Sequence, residues 1–191
     1  MRGNAGCFGG ETREVIESVK ALRGGEVVEL VNGELKFGYR DSVIKQSSDI
    51  VLSVEMKLEP GDVEVLKERM VAILTRRKES QPMNKSSAGC MFKNYEIESK
   101  EELGRLVQDI DLPKSMQEKQ QVSCGWLIDK MGMKGMTVGG AQISEQHGNF
   151  LMNLGDATAE DIVGLIGSVK KGIKEKTGIE LHEEVQYVGF E

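Results

Sequence analysis

Cysteine and histidine are scarce in this 191-residue chain, and their scarcity removes several kinds of chemistry at once. Three cysteines, Cys7, Cys90 and Cys124, are an odd number without a C-x-x-C pair, which suggests neither a disulfide framework nor a zinc site. Two histidines, His147 and His182, are too few for a multi-histidine centre, so no metal is expected. No apolar run approaches the length of a membrane span, and the start lacks a signal-peptide pattern. No membrane partner is therefore expected, and the cytoplasm is the expected compartment. A net charge of −6 argues against a nucleic-acid partner, because phosphate binding needs a surplus of Lys and Arg on one face. There is no internal repeat, no P-loop, no complete G-x-G-x-x-G after a strand and no defensible Ser-His-Asp or Cys-His spacing.

What remains is an ordinary globular composition, long enough for one sizeable domain or two small ones sharing an interface. Its first ten residues are Gly-rich turn material with no strand or helix before them, which reads either as a flexible tail or as a turn whose upstream partner is missing. Residues 14–22 and 26–31 flank Gly24-Gly25 and read as a β-hairpin. Ile50, Leu52, Val54, Met56 and Leu58 alternate with Val51, Ser53, Glu55 and Lys57, a strand with one face mostly buried, ended by Pro60-Gly61. Asp62 is a good N-cap for a helix whose stripe is Val63, Leu66, Met70, Ile73 and Leu74 and whose end is Arg76-Arg77-Lys78. Residues 80–95 read as loop, 101–110 and 126–131 as short helices, and 142–144 and 149–153 as short strands. A helix opens at Thr158 with Asp161 as an imperfect capping box, buries Ile162, Leu165, Ile166, Val169 and Ile173, and stops at Gly178; Val185–Val188 reads as a last strand. The sum is an α+β chain with a border near Pro60-Gly61.

Four stretches could carry chemistry: Phe37–Ser42 with Tyr39 and Arg40, Ser86–Asn94 with Cys90 and Asn94, Gly139–Phe150 with His147, and His182–Val185 with Glu184. Each has a plainer reading. A turn arginine is ordinarily a surface ion pair, a lone cysteine after glycine a small buried hydrophobe, His147 a turn-stabilising donor and Glu183-Glu184 a solvated strand edge. A nucleophilic role for Cys90 would need a nearby base, and histidine is scarce.

In this order, however, the motifs resemble one family. Asn4–Glu11 (Asn-Ala-Gly-x-Phe-Gly-Gly-Glu), Phe37–Ser42 (Phe-Gly-Tyr-Arg-x-Ser), Ser87–Asn94 (Ser-Ala-Gly-x-x-Phe-Lys-Asn), Gly125–Asp129 (Gly-Trp-Leu-Ile-Asp), Gly139–Ser144 (Gly-Gly-Ala-Gln-x-Ser) and Glu184-Val185 follow the order of UDP-N-acetylenolpyruvoylglucosamine reductases of the second type. The resemblance implies FAD and NADPH as cofactors and reduction of UDP-N-acetylglucosamine enolpyruvate to UDP-N-acetylmuramate. It makes Arg40 the enolate-stabilising cation, Glu184 its carboxylate companion, and Cys90 the proton donor where the family commonly has serine. Tyr39, Lys78, Asn94 and His147 become substrate contacts, and Asn4, Ala5, Gly6, Gly9 and Gly10 a backbone-rich segment lining the flavin pocket. Gln186 stands where arginine is frequent, and Tyr95 where proline is usual. Nothing resembles the family's Gly-Gly-Gly-Ser-Asn-type pyrophosphate loop. Residues 1–61 are therefore expected to be the incomplete tail of an FAD-binding domain and residues 62–191 a substrate-binding domain, with a missing N-terminal flavin-binding lobe as possible partner. The other reading is a non-catalytic remnant that at most binds the UDP-sugar.

Overall fold

Gly24 and Gly25 adopt φ angles of 58° and 91°, the left-handed values a tight hairpin needs, and the strands they join are the middle of the first unit. In the computed structural model, which describes residues 1–83 and 85–189, the chain divides into two units, Met1–Leu74 and Thr75–Glu191. The first begins with a miniature hairpin of β1 (Gly6–Cys7) and β2 (Gly10–Glu11), so the glycine-rich start closes on itself. A three-stranded antiparallel sheet follows, with β3 (Ile16–Arg23) between β4 (Glu26–Val31) and an edge strand, β5 (Ile50–Met56). The short α1 (Val43–Gln46) is capped by Ser42, and Ile16, Val19, Ala21, Leu30, Leu35 and Ile44 form the core.

Two expectations about burial fail here. The alternation in β5 assigns Ile50, Leu52, Met56 and Leu58 to a buried face, yet all four are exposed, Leu58 to 70%. For Ile50 and Leu52 the reason is a bulge: the β3–β5 register slips between Lys20↔Ser53 and Ala21↔Val51, which leaves Leu52 as an extra residue. The extra residue flips the parity before it, so Val51 packs on the core in place of Ile50 and Leu52, while Val54 after the bulge packs there as the alternation expects. The next helix, α2 (Val63–Ser80), starts where the sequence requires, with Asp62 Oδ1 accepting from the Glu64 and Val65 amides at 2.9 and 3.0 Å. Its stripe of Val63, Leu66, Met70 and Leu74 is nonetheless exposed and no residue of it is buried. The cap, the good helix formers and a Glu64–Lys67 pair at 2.8 Å account for the helix locally, without burial of the stripe.

The second unit contains β6 (Ser87–Cys90), β7 (Tyr95–Glu96), α3 (Lys100–Ile110), α4 (Lys114–Lys119), β8 (Gln121–Val122), α5 (Cys124–Lys130), β9 (Thr137–Val138), β10 (Ala141–Ile143), β11 (Phe150–Asn153) and α6 (Ala159–Thr177). The four-stranded sheet runs β6-β11-β10-β9, all antiparallel, and β7 pairs with β8 apart from it. The mixture of helices and antiparallel sheets is α+β, as expected. Residues 80–95 are not all loop, because Ser87–Cys90 pairs with β11. The expected strand Val185–Val188 does not form. Glu183 makes a single bridge to Phe92, and Glu184 N–H donates to Met91 O at 2.8 Å. Past Glu184 this antiparallel register would continue opposite Cys90 and β6, where no further bridge forms among the described residues.

The α6 helix buries Leu165, Ile166, Val169 and Ile173 against β10, β11 and α5 residues, and its ends match the sequence signals. Thr158 and Asp161 form a reciprocal capping box, and Gly178 ends the helix at φ 70°. Asp161 Oδ2 also accepts from the Gly140 amide at 3.2 Å, and these amides hold its carboxyl below the usual range. That contact explains Gly139-Gly140. A Cβ at Gly139 would collide with the Asp161 carboxylate, and one at Gly140 would stand 2.5 Å from the Ala157 backbone nitrogen.

Gly140→Ala meets backbone that cannot yield, so it is expected to cost about 3 kcal/mol, against about 1 kcal/mol for Thr158→Ala; urea unfolding of the two variants measures both. The buried Cys124 thiol gives a pH prediction. Burial pushes its pKa from the ordinary 9.0 up to about 12, so the unfolded chain loses its proton first as pH rises. Stability is then full below pH 9 and falls toward pH 12, by about 1 kcal/mol between pH 9 and 10. Cys124→Ala should flatten that slope in denaturation curves at the two pH values.

Candidate functional site

The β1–β2 hairpin holds an uncommon backbone at its tip: Phe8 at φ 45° beside Gly9 at 89°. A bulky residue in the left-handed region stores strain, which folds retain mainly where geometry matters. Asn4 braces the hairpin from behind. It is buried, donates to Glu11 Oε2 at 3.0 Å and to Gly38 O at 3.1 Å, and accepts from the Arg13 amide at 3.0 Å. Gly38 and Asp41 exchange both backbone hydrogen bonds, which puts Tyr39 and Arg40 at the tip of a tight turn, with Arg40 at φ 54°. Lys45 Nζ donates to Arg40 O at 3.0 Å, and the guanidinium lies 5.4 Å from the Tyr39 ring centroid, a cation–π contact.

These two turns face one shallow depression of about 360 Å³, lined by residues 6–11 with Arg13, Glu14, Tyr39 and Arg40. Gly6 lies under the Arg40 side chain, where an added Cβ would stand 3.6 Å from Nη1. The structure thus brings Gly6, Gly9 and Gly10 together with Tyr39 and Arg40. Asn4 and Ala5 do not line the depression; Asn4 is its brace, and the Ala5 carbonyl accepts from Thr12.

In the second unit the chain from Cys90 to Asn94 is held from both sides. On one side Cys90 pairs with Phe150, and the Asn149 side chain grips Phe92, accepting its N–H at 3.0 Å and donating to its carbonyl at 2.7 Å. On the other, Lys93 N–H donates to His182 O and Glu184 N–H to Met91 O. Asn94 continues the knot: its Oδ1 accepts from the Cys124 amide at 3.2 Å and its Nδ2 donates to Gln121. Cys90 is half-buried, whereas Cys124 is sealed, its thiol donating to Lys93 O at 2.8 Å. Besides its burial, the charges of Cys90 and Glu184 raise the Cys124 thiol further, so both lie within its electrostatic reach.

The two adjacent glutamates differ. The Glu183 carboxylate is engaged by Lys170 Nζ at 2.7 Å; desolvation opposes that pairing, yet the bond and the lysine charge win and its pKa falls. Glu184 is half-buried, and its charge is felt at the Cys124 thiol. His147 Nδ1 accepts from the Asn149 amide at 3.2 Å, and burial pulls its pKa below the ordinary value, so the imidazole is a neutral ring with its proton on Nε2. Its edge packs on Phe150 at 4.8 Å. Gly125 leaves room for it, since a Cβ there would stand 2.8 Å from Cε1. Lys78 is exposed on the last turn of α2, whose carbonyls are hydrogen-bonded by Gln146, one residue before His147. Lys78, Cys90, Asn94, His147 and Glu184 therefore belong to one connected region. Asn149, Gln146 and Cys124, which hold it together, carry no sequence signal of that task beyond sitting inside the motifs. Among the described residues, no group of three or more His, Cys, Asp or Glu side chains could hold a metal ion, and no helix is long and apolar enough to cross a membrane.

Known proteins resemble this chain throughout. The family model described as "UDP-N-acetylenolpyruvoylglucosamine reductase, C-terminal domain" matches residues 81–188. A UDP-N-acetylenolpyruvoylglucosamine reductase of Thermotoga petrophila is 38% identical over 183 residues, 96% of this chain and 56% of the relative. One of Leptospira interrogans is 39% identical over 188 residues, 97% of this chain and 54% of the relative. The crystal structure of UDP-N-acetylenolpyruvylglucosamine reductase (MurB) from Thermus caldophilus superposes with a TM-score of 0.73 at 34% identity, over 97% of this chain and 57% of that one. The chain thus spans about half the length of the curated relatives it matches. By the match of its residues 81–188, the chain belongs to the UDP-N-acetylenolpyruvoylglucosamine reductase family and carries that family's C-terminal domain.

Proposed function

We propose that this chain carries the substrate-handling part of a flavin-dependent reductase that converts UDP-N-acetylglucosamine enolpyruvate to UDP-N-acetylmuramate for peptidoglycan synthesis. The observation that supports the reading is that Cys90 and Asn94 lie on one pinned segment, to which the backbone of Glu184 is also hydrogen-bonded. The reaction adds a hydride to the terminal alkene carbon and a proton to the carbon beside the carboxylate. FAD, reduced by NADPH, supplies the hydride when bound. Arg40 balances the charge that develops on the substrate carboxylate and enolate, as a preorganised cation should. Glu184 is its carboxylate companion. The Cys90 thiol, a stronger acid than the serine hydroxyl common in the family, gives its proton to the carbon. Tyr39, Lys78, Asn94 and His147 hold the sugar and diphosphate, His147 as a neutral donor.

Residues 6–10 fit a flavin in part. They offer backbone and glycine rather than side chains around the depression, whose 360 Å³ lies at the small end of ligand pockets. That is room for one ring system of a dinucleotide rather than for the whole of it. Residues 1–61 accordingly read as flavin-domain sequence and residues 62–191 as the substrate domain. The same small depression favours a second reading for the chain by itself, a binder of the UDP-sugar without turnover.

Two measurements test these readings. After incubation with FAD and desalting, the chain alone is expected to keep no flavin absorbance; stable retention would overturn the partial fit. In a protein completed with the flavin-binding half of a relative, NADPH oxidation should depend on the enolpyruvyl substrate. There Cys90→Ala should lower product formation at least about a hundredfold while flavin reduction by NADPH continues, and unchanged product formation would remove Cys90 as the proton donor.

A further inference from the structure

The last turn of a helix leaves carbonyl oxygens without intrahelical partners, and such turns fray unless something holds them. In α2 that something is distant in sequence. Gln146 Nε2 donates to Lys78 O at 2.8 Å and to Glu79 O at 2.9 Å, across separations of 68 and 67 residues. The turn that carries Gln146 is itself braced. Ser144 Oγ accepts from the Gln146 and His147 amides at 3.1 and 3.3 Å, and the Asn149 amide donates to His147 Nδ1. One carboxamide therefore ties the helix end bearing Lys78 to the turn bearing His147.

The neighbouring groups single out Lys78 among the cations of that turn. Arg77 Nε is bound to Gln81 Oε1 at 3.1 Å, whereas among the described residues no carboxylate pairs with the Lys78 ammonium. The negative end of the helix dipole also opposes an anion approaching here. By covering two of the exposed carbonyls, the Gln146 amide removes part of that opposition. We infer that Gln146 is a positioning residue that presents Lys78, beside His147, to the diphosphate of a nucleoside-diphosphate sugar. The inference rests on the substrate reading proposed above and adds the device that makes Lys78 effective.

The test uses the full chain, with UDP-N-acetylglucosamine as the probe in titration calorimetry and amide hydrogen exchange as an independent readout. Gln146→Ala should weaken binding about five- to tenfold, the loss expected from two neutral hydrogen bonds, and should speed exchange of the Gln81 amide, which donates to Arg77 O in the last turn. Lys78→Ala should weaken binding to a similar or greater extent. In the Lys78→Ala background, Gln146→Ala should cost nothing further, because it acts through the lysine. An equal loss in both backgrounds, or wild-type affinity and exchange in Gln146→Ala, overturns the positioning role while leaving the substrate reading intact. Failure of the wild-type chain to bind the probe overturns the substrate reading and this inference with it. Faster Gln81 exchange in that case would still identify Gln146 as a purely structural clamp.

Discussion

The second unit depends on one asparagine. Asn149, 3% exposed, gives its side-chain oxygen to the Phe92 amide and its side-chain nitrogen to the Phe92 carbonyl, while its own carbonyl takes the Met91 amide. An amide side chain here does what a neighbouring strand would otherwise do, continuing the β6–β11 pairing after Cys90, where β11 itself has begun. Buried polar groups satisfied this fully fix a single arrangement, since any alternative leaves several of them unpaired at once. Cys90 and Asn94 flank the gripped residue, and residues 182–184 add to its far side. Backbone hydrogen bonds thus fix the chain that carries the half-buried thiol against the chain that carries Glu184.

Local signals decided much of the fold in advance. The Thr158–Asp161 cap, the spacing of Leu165, Ile166, Val169 and Ile173, and Gly178 each act within a few residues, and α6 follows them closely. The Gly24-Gly25 hairpin does too. What the sequence hid depends on distant partners or on single-residue slips. The extra Leu52 in β5 leaves the apolar–polar pattern looking regular while handing the core position before it to Val51. Ser87–Cys90 lacks the β-branched residues of a typical strand and becomes one because β11 lies alongside. Val185–Val188 has strand-like residues but forms no strand. The periodicity of α2 announces an apolar stripe but cannot say what covers it.

The candidate site divides in the same way. Arg40, Cys90, Asn94, His147 and Glu184 could be picked out because their types and order match a family pattern. The residues that make them a site could not, because Asn149 reaches Phe92 across 57 positions and Gln146 reaches α2 across more than 60. Cys124 looked like one of three equivalent cysteines until its burial and its bond to Lys93 separated it from Cys90. Motif order singles out the candidate groups, and long-range hydrogen bonds give them their places.

The crowding at Gly139-Gly140 has an evolutionary side. With Asp161 capping α6, neither glycine can acquire a side chain, because the carboxylate fills the space at one and the backbone of Ala157 stands against the other. A mutational path toward a different residue at Gly139 must therefore pass first through loss of the carboxylate, and the reverse order is closed. Gly139 and an acid 22 positions away thus behave as one heritable unit, and substitutions at the two should be gained and lost together, while Gly140 is held by the Ala157 backbone.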